Sequence, residues 1–127
     1  MTKIKGLAEI VLNVHDVAAS LKFYQEVLGL TIIGRPGPVF LKVGGPAVSV
    51  PQMLVLVPLP PDAGKFETPR TLHHLALELA PEDFEAEEQR LKKLGYDIRY
   101  GQHPVIPSHT MYIDDPDGNE VEFICGV

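Results

Sequence analysis

The sequence predicts an α+β fold built from two βαβββ modules. The order strand, helix and three further strands can be traced twice along the 127 residues. Glu9 and His74 hold the same place in two similar strands 65 residues apart, and Leu28 and Leu94 are matched at an offset of 66. We therefore predict one domain over residues 1–127, with module 1 at about 4–58, a linker at about 59–70 and module 2 at about 71–127.

The first module opens with a strand and an amphipathic helix. Apolar alternation over Gly6–Val14 predicts a half-buried strand. Asp16 is a suitable N-cap for a helix that begins at Val17 and stops at Gly29. Three short apolar runs, separated by Gly- and Pro-rich joints, then predict strands with the sequences LTIIG, VFLKVG and QMLVLVPL.

The second module repeats this order after a linker rich in Pro and turn-forming residues. TLHHLALEL predicts its first strand, and a helix follows from Pro81. Pro and acidic residues in the first turn favour that helix start. The remaining strands are predicted in YDIRY, HTMYIDD and EVEFICG.

Composition and charge restrict the class of protein. Hydrophobic residues at 45% and charged residues at 22% are typical of a globular protein. A net charge of −6 without a basic cluster argues against nucleic acid and anionic membranes as partners. The single Cys125 excludes an internal disulfide and suits a reducing compartment. No apolar run approaches the ~20 residues of a membrane span, and no signal peptide is visible. We expect a cytoplasmic protein.

The repeat relates four positions that carry Glu9, Leu56, His74 and Glu122. If the halves pack around a pseudo-twofold axis, these side chains can converge. One imidazole and two carboxylates suit a divalent cation, with Fe²⁺, Mn²⁺, Ni²⁺ and Zn²⁺ all possible. Three protein ligands leave open coordination positions, which is typical of a catalytic metal. The apolar Leu56 at the fourth position agrees with an open site.

The alternative interpretation is that each residue is an ordinary polar group on a solvated sheet face. We interpret Glu78 and Glu120 in that way. A charge at a sheet-interior position costs free energy unless it is paired or metal-bound. Three such residues related by the repeat therefore favour a shared site.

Three segments resemble the vicinal oxygen chelate superfamily: AEIVLNVHDVAASLKFYQEVLGL, LHHLALELAPEDFEAEEQRLKKLGY and YIDDPDGNEVEF. That group includes glyoxalase I, extradiol ring-cleaving dioxygenases, fosfomycin-resistance enzymes, methylmalonyl-CoA epimerase and bleomycin-binding proteins. The motifs F-Y-x-x-V-L-G-L and D-P-D-G-N-x-x-E carry the resemblance. It implies paired βαβββ modules that form an open, cupped mixed sheet, the glyoxalase/bleomycin resistance/dihydroxybiphenyl dioxygenase fold. It also implies a metal inside the cup and a homodimer.

The resemblance also implies site residues. Family members take metal ligands from the first and last strands of the modules, which here are Glu9, His74 and Glu122. GQHPVIPSHTMYIDDPDGNEVE resembles the C-terminal signature of extradiol dioxygenases, which implies catalytic roles for His103 and Tyr112. The leading hypothesis is a metal-dependent dioxygenase, lyase or isomerase whose small substrate chelates the metal through neighbouring oxygens.

The competing hypothesis is a metal-free binding protein, as in the bleomycin-binding relatives. Its cup sequesters a planar or aromatic ligand between apolar walls such as Val11, Leu56 and Tyr112. Ligand affinity that is indifferent to EDTA separates this hypothesis from the metalloenzyme.

Overall fold

The computed structural model describes residues 3–35, 37–45 and 50–127, so the predicted domain bounds include a few residues outside this part of the chain. The chain divides into two compact units, one ending at Gly64 and the other beginning at Lys65. This boundary falls in the predicted linker. That both units form one domain stays a prediction.

Each unit contains a strand, a helical segment and three further strands, which confirms the predicted α+β fold of two βαβββ modules. Helix α1 is extended by a π-helical segment, whereas α2 is a regular α-helix. No helix in the described part of the chain is long and apolar enough to cross a bilayer. The elements of the first unit are β1 Glu9–Val14, α1 Val17–Leu21, the π-helix Lys22–Val27, β2 Thr31–Gly34, β3 Val39–Gly44 and β4 Gln52–Pro58; those of the second are β5 His74–Glu78, α2 Pro81–Lys93, β6 Arg99–Gly101, β7 Ser108–Asp114 and β8 Glu120–Gly126.

The two sheets have the same topology. Strand order is β1-β4-β3-β2 in the first unit and β5-β8-β7-β6 in the second. The first and last strands of each module pair in parallel, and the other neighbours are antiparallel. The last strand is therefore an interior strand, and its side chains lie beside those of the first strand.

The register shows that one predicted equivalence is wrong. Glu9 pairs with Met53 and Val11 with Val55, whereas His74 pairs with Glu120 and Ala76 with Glu122. The residue that corresponds to Glu122 is therefore Val55, at an offset of 67. Leu56 lies one residue further along β4 and points to the opposite, buried face, because successive side chains of a strand alternate. The fourth position is still apolar, but Val55 occupies it.

The helical segment of the first unit departs from the predicted single helix over Val17–Gly29. Its start is as predicted, since the Asp16 carboxylate accepts a hydrogen bond from the Ala19 amide at 3.1 Å. Further on, the Leu28 amide donates to the carbonyl of Phe23, an i→i+5 bond that marks a π-helix. The wider turn buries Phe23 and the adjacent Tyr24 together.

The core of the second unit lies on one face of its sheet. Helix α2 contacts β8 and buries Leu91 completely. Odd-numbered residues of β5, β7 and β8 supply the buried face, and even-numbered residues therefore lie on the other face. The buried residues of this set are Leu75, Met111, Ile113, Val121, Phe123 and Cys125.

Candidate metal centre

Strands β5 and β8 bring His74 and Glu122 together on the even-numbered face. His74 is the first residue of β5, and Glu122 lies in the middle of β8. The Nε2 atom of His74 is 3.1 Å from Oε1 of Glu122. Two of the three predicted metal ligands are thus in direct contact within the second unit.

Glu122 is a buried carboxylate with only one of its oxygens engaged. Its exposed fraction is 3%, and Oε2 has no hydrogen-bond partner among the described residues. Buried carboxylates normally have partners for both oxygens, because an unpaired charge in the protein interior costs several kcal/mol. The free oxygen is therefore the donor atom expected where a cation binds.

The His74–Glu122 pair fits two adjacent ligands of one cation. Metal–nitrogen and metal–oxygen bonds are about 2.0–2.2 Å long, so neighbouring donors lie about 2.8–3.1 Å apart on an octahedral ion and about 3.3–3.6 Å apart on a tetrahedral one. The observed 3.1 Å matches the octahedral spacing. It also suits a plain hydrogen bond. Over residues 3–35, 37–45 and 50–127, no three His, Cys, Asp or Glu side chains are grouped as a metal ion would require.

Glu9 belongs to the first unit. It opens β1, is exposed to solvent and lies beside Met53 of β4. Because Glu9 and the His74–Glu122 pair belong to different units, its role as a third ligand stays a prediction.

Tyr112 lies beside the His74–Glu122 pair. It is the direct cross-strand partner of Glu122, and its ring meets the His74 ring edge to face with centroids 6.1 Å apart. Gly101 makes room for it, since a Cβ atom there would lie 3.3 Å from Cε1 and 3.4 Å from the hydroxyl oxygen of Tyr112. The placement agrees with a substrate-contacting role, which itself stays a prediction.

His103 lies in the exposed loop between β6 and β7. Its Nδ1 accepts hydrogen bonds from the amides of Val105 at 3.1 Å and Ile106 at 2.9 Å. An accepting Nδ1 fixes the neutral tautomer that carries its proton on Nε2. His103 therefore shapes its own loop and keeps one N–H donor, and its predicted catalytic role remains untested.

His73 is the residue that the sequence interpretation missed. Strand alternation alone predicts that His73 lies on the face opposite His74, as a packed or capping residue. It is instead exposed and stands just before β5, with Nδ1 2.7 Å from Nδ1 of His74. Alternation does not apply to a residue outside the strand. The sequence feature that could have indicated this contact is the pair of adjacent histidines at the start of the strand.

The second unit also contains an ionic cluster of Arg99, Asp114 and Glu120 and a cavity beside it. Arg99 donates to Asp114 at 2.7 Å and to Glu120 at 3.2 Å, and the hydrogen bond with Asp114 raises the pKa of Arg99 above its ordinary value. Glu120, which the sequence analysis interprets as a surface charge, is half-buried and forms an ion pair with Arg99. A cavity of about 400 Å³ is lined by all three of these residues and by His73. This volume is adequate for a small molecule.

Known proteins resemble the chain over nearly its whole length. The model of the Glyoxalase/Bleomycin resistance protein/Dioxygenase superfamily matches residues 6–123. The glutathione transferase FosA of Serratia marcescens is 29% identical over 124 residues, which are 97% of this chain and 82% of that protein. The iron-dependent extradiol dioxygenase of Rhodococcus jostii is 28% identical over 141 residues, and the match covers 98% of this chain but only 44% of the dioxygenase.

Solved structures share the fold. A glyoxalase/dioxygenase from Nostoc punctiforme superposes with a TM-score of 0.76 at 23% identity, covering 98% of this chain and 93% of its own. The family model spans most of the chain and both modules. The chain therefore belongs to the Glyoxalase/Bleomycin resistance protein/Dioxygenase superfamily.

Proposed function

We propose that this protein is a divalent-metal-dependent enzyme that acts on a small substrate chelating the metal through neighbouring oxygens. His74 and Glu122 hold the cation, with Glu9 as the third ligand predicted from the sequence. The observation that carries the proposal is the Glu122 carboxylate, which is buried on an interior strand. One of its oxygens faces His74, and the other has no hydrogen-bond partner in the described part of the chain. A buried carboxylate with an unpaired oxygen lowers the stability of the fold, so a purely structural role does not explain Glu122.

The cation that His74 and Glu122 would hold would supply Lewis acidity to a substrate that chelates it through neighbouring oxygens. Tyr112 lies next to both ligands and donates its hydroxyl to a substrate oxygen. The Nε2–H group of His103 is a second possible donor to the substrate. Both roles rest on the resemblance of the C-terminal segment to ring-cleaving dioxygenases.

The metal is tested by elemental analysis of protein purified under reducing conditions, followed by titration of EDTA-treated protein. We expect micromolar or tighter affinity for at least one of Fe²⁺, Mn²⁺, Ni²⁺ and Zn²⁺. The variants His74→Ala and Glu122→Gln lose this affinity. The matched control Glu78→Gln, at an exposed position of the same sheet face, retains it. Wild-type protein that binds none of the four ions with micromolar affinity would refute the proposal.

The identity of the retained metal separates the reaction classes. Iron favours oxygen chemistry, and the iron-dependent dioxygenase among the relatives makes ring cleavage the first reaction to test. Iron-loaded protein should then consume oxygen when a catechol is added. The Tyr112→Phe variant should lower the rate of oxygen consumption about 100-fold, which is the low end of the effect usual for a proton-transfer group. Retention of manganese, nickel or zinc favours an isomerase or lyase.

A second candidate function is metal-free binding of a planar ligand. The 3.1 Å contact of His74 with Glu122 also satisfies a simple hydrogen bond, which favours this alternative. Of its predicted walls, Val11 is 50% exposed, Tyr112 is half-buried, and Leu56 is fully buried and unable to touch a ligand. This function predicts bleomycin binding that is unchanged by EDTA and by Glu122→Gln.

A further inference from the structure

The tandem histidines His73 and His74 share a hydrogen bond through their Nδ1 atoms. The two nitrogens are 2.7 Å apart, and the rings meet edge to face with centroids 5.0 Å apart. Two imidazole nitrogens approach this closely only when one carries a proton and the other presents a lone pair. The pair therefore has two arrangements, with either His73 or His74 as the donor.

These arrangements have opposite consequences for Nε2 of His74, the atom that faces Glu122. A neutral imidazole carries one proton. When His73 donates, the His74 proton is on Nε2 and is directed to Glu122 Oε1, 3.1 Å away. When His74 donates, its proton is on Nδ1, and Nε2 presents a lone pair beside the carboxylate.

We propose that His73 is a positioning residue that stabilises the metal-binding tautomer of His74, because it accepts the Nδ1–H of His74 when a cation occupies Nε2. This inference rests on the proposed function. Ligating histidines commonly donate their second ring nitrogen to an acceptor that fixes the tautomer and orientation, usually a carboxylate or carbonyl. Here the acceptor is the neighbouring imidazole. Both rings remain neutral in the two arrangements, so the exchange only moves one proton within each ring.

The exposure of His73 makes this exchange possible. His73 precedes β5 and is open to solvent, so its own Nε2 can gain the proton that its Nδ1 gives up. Glu122, in contrast, is buried in an interior strand. The histidine pair is therefore the adjustable part of the site, and the carboxylate is the fixed part.

The test is the Zn²⁺ affinity of three variants, measured by competition with a fluorescent chelator. His73→Phe keeps a ring but removes the acceptor, and we expect 10- to 100-fold weaker binding, the usual range for such partners. His73→Asn places an amide oxygen at the same number of bonds from the backbone as Nδ1, and we expect affinity within about threefold of wild type. His109→Phe is the matched control, since His109 is an exposed histidine of the same sheet. It should bind as wild type does.

Imidazole ¹⁵N NMR supplies a second readout that a merely structural role would not change. The His74 ring should carry its proton on Nε2 in metal-free protein and on Nδ1 after Zn²⁺ is added. Equal affinity of His73→Phe and wild type, equal losses in the Phe and Asn variants, or a tautomer that Zn²⁺ does not change would each overturn this inference. Failure of wild-type protein to bind Zn²⁺ or the other ions would instead refute the proposed function.

Discussion

Glu122 has an environment that distinguishes it from the other carboxylates of its sheet face. Glu120 and Asp114 share the Arg99 guanidinium, whereas Glu122 is almost fully buried and has His74 as its one side-chain partner among residues 3–35, 37–45 and 50–127. The sequence alone shows that Glu122 is a charged residue between Val121 and Phe123. It does not show that one carboxylate oxygen lacks a partner among the described residues, because hydrogen-bond partners depend on tertiary packing.

Glu122→Gln should separate the metal-site role from a stabilising ion pair. Gln removes the poorly compensated buried charge but keeps an acceptor oxygen for His74, so we expect the free energy of unfolding of metal-free protein to be unchanged or higher. Zn²⁺ at 100 times its dissociation constant should stabilise wild type by about 2.7 kcal/mol and the variant by almost nothing. Thermal unfolding with and without Zn²⁺ measures both. Equal stabilisation of the two proteins would argue against Glu122 as a ligand.

The hydrogen bond of Tyr100 makes the stability of the fold depend on pH. Its hydroxyl donates to Glu88, and this hydrogen bond raises the pKa of Tyr100 above its ordinary value of 10.0. Because the folded pKa is the higher one, the stabilisation is complete below pH 10 and is lost as pH rises through the folded pKa. Glu88→Gln should lower the pKa of Tyr100, as measured by ¹³C NMR of the ring. An unchanged or higher value would contradict this.

The turn between β7 and β8 sets the position of the strand that carries Glu122. The Asp115 side chain accepts hydrogen bonds from the amides of Asp117 at 2.9 Å and Asn119 at 2.8 Å, and from the Asn119 side chain at 2.9 Å. Arg70 donates to the Asn119 side chain at 3.0 Å and to the Asp117 carbonyl at 2.6 Å. The D-P-D-G-N motif is thus a structural device.

Asp115→Ala should lower the free energy of unfolding by about 3 kcal/mol, because it leaves buried donors without an acceptor. Asp115→Asn is the matched control. It keeps the oxygen that serves the two amides and loses only the acceptor for the Asn119 side chain, so we expect about half the cost. Urea unfolding measures both. A loss below about 1 kcal/mol for the alanine variant would show that the turn is held by other contacts.

Most elements could be predicted from the sequence, and the exceptions have physical reasons. The strand EVEFICG is observed over Glu120–Gly126, since its apolar run is strong and a turn precedes it. The π-helix was missed because its apolar spacing also fits an α-helix. Leu56 was misplaced because offsets between the modules run from 65 to 67 residues, and a single-residue shift exchanges the two faces of a strand.

For the whole molecule, the repeated βαβββ module explains why ligands are expected from distant parts of the sequence. Each module places its first strand beside its last, and this juxtaposes His74 and Glu122 across 48 residues of chain. Glu9 opens the corresponding strand of the first module. Glu9→Gln should weaken Zn²⁺ binding at least 10-fold if Glu9 is the third ligand. Unchanged affinity would remove it from the ligand set.

The predicted homodimer is a separate property of the whole molecule. Family resemblance is its basis, and analytical ultracentrifugation of metal-free and Zn²⁺-loaded protein tests it. We expect a species of about 28 kDa, twice the 14.0 kDa of one chain. A single 14.0 kDa species at micromolar concentration would show a monomer.

His74 and Glu122 together bind one divalent cation under the proposed function. The most direct test is an anomalous difference map from a crystal of Zn²⁺-loaded protein. We predict a peak bonded to Nε2 of His74 and to a carboxylate oxygen of Glu122, at about 2.0–2.2 Å from each. A peak bonded to other residues, or no peak between His74 and Glu122 in protein saturated with Zn²⁺, would contradict this assignment.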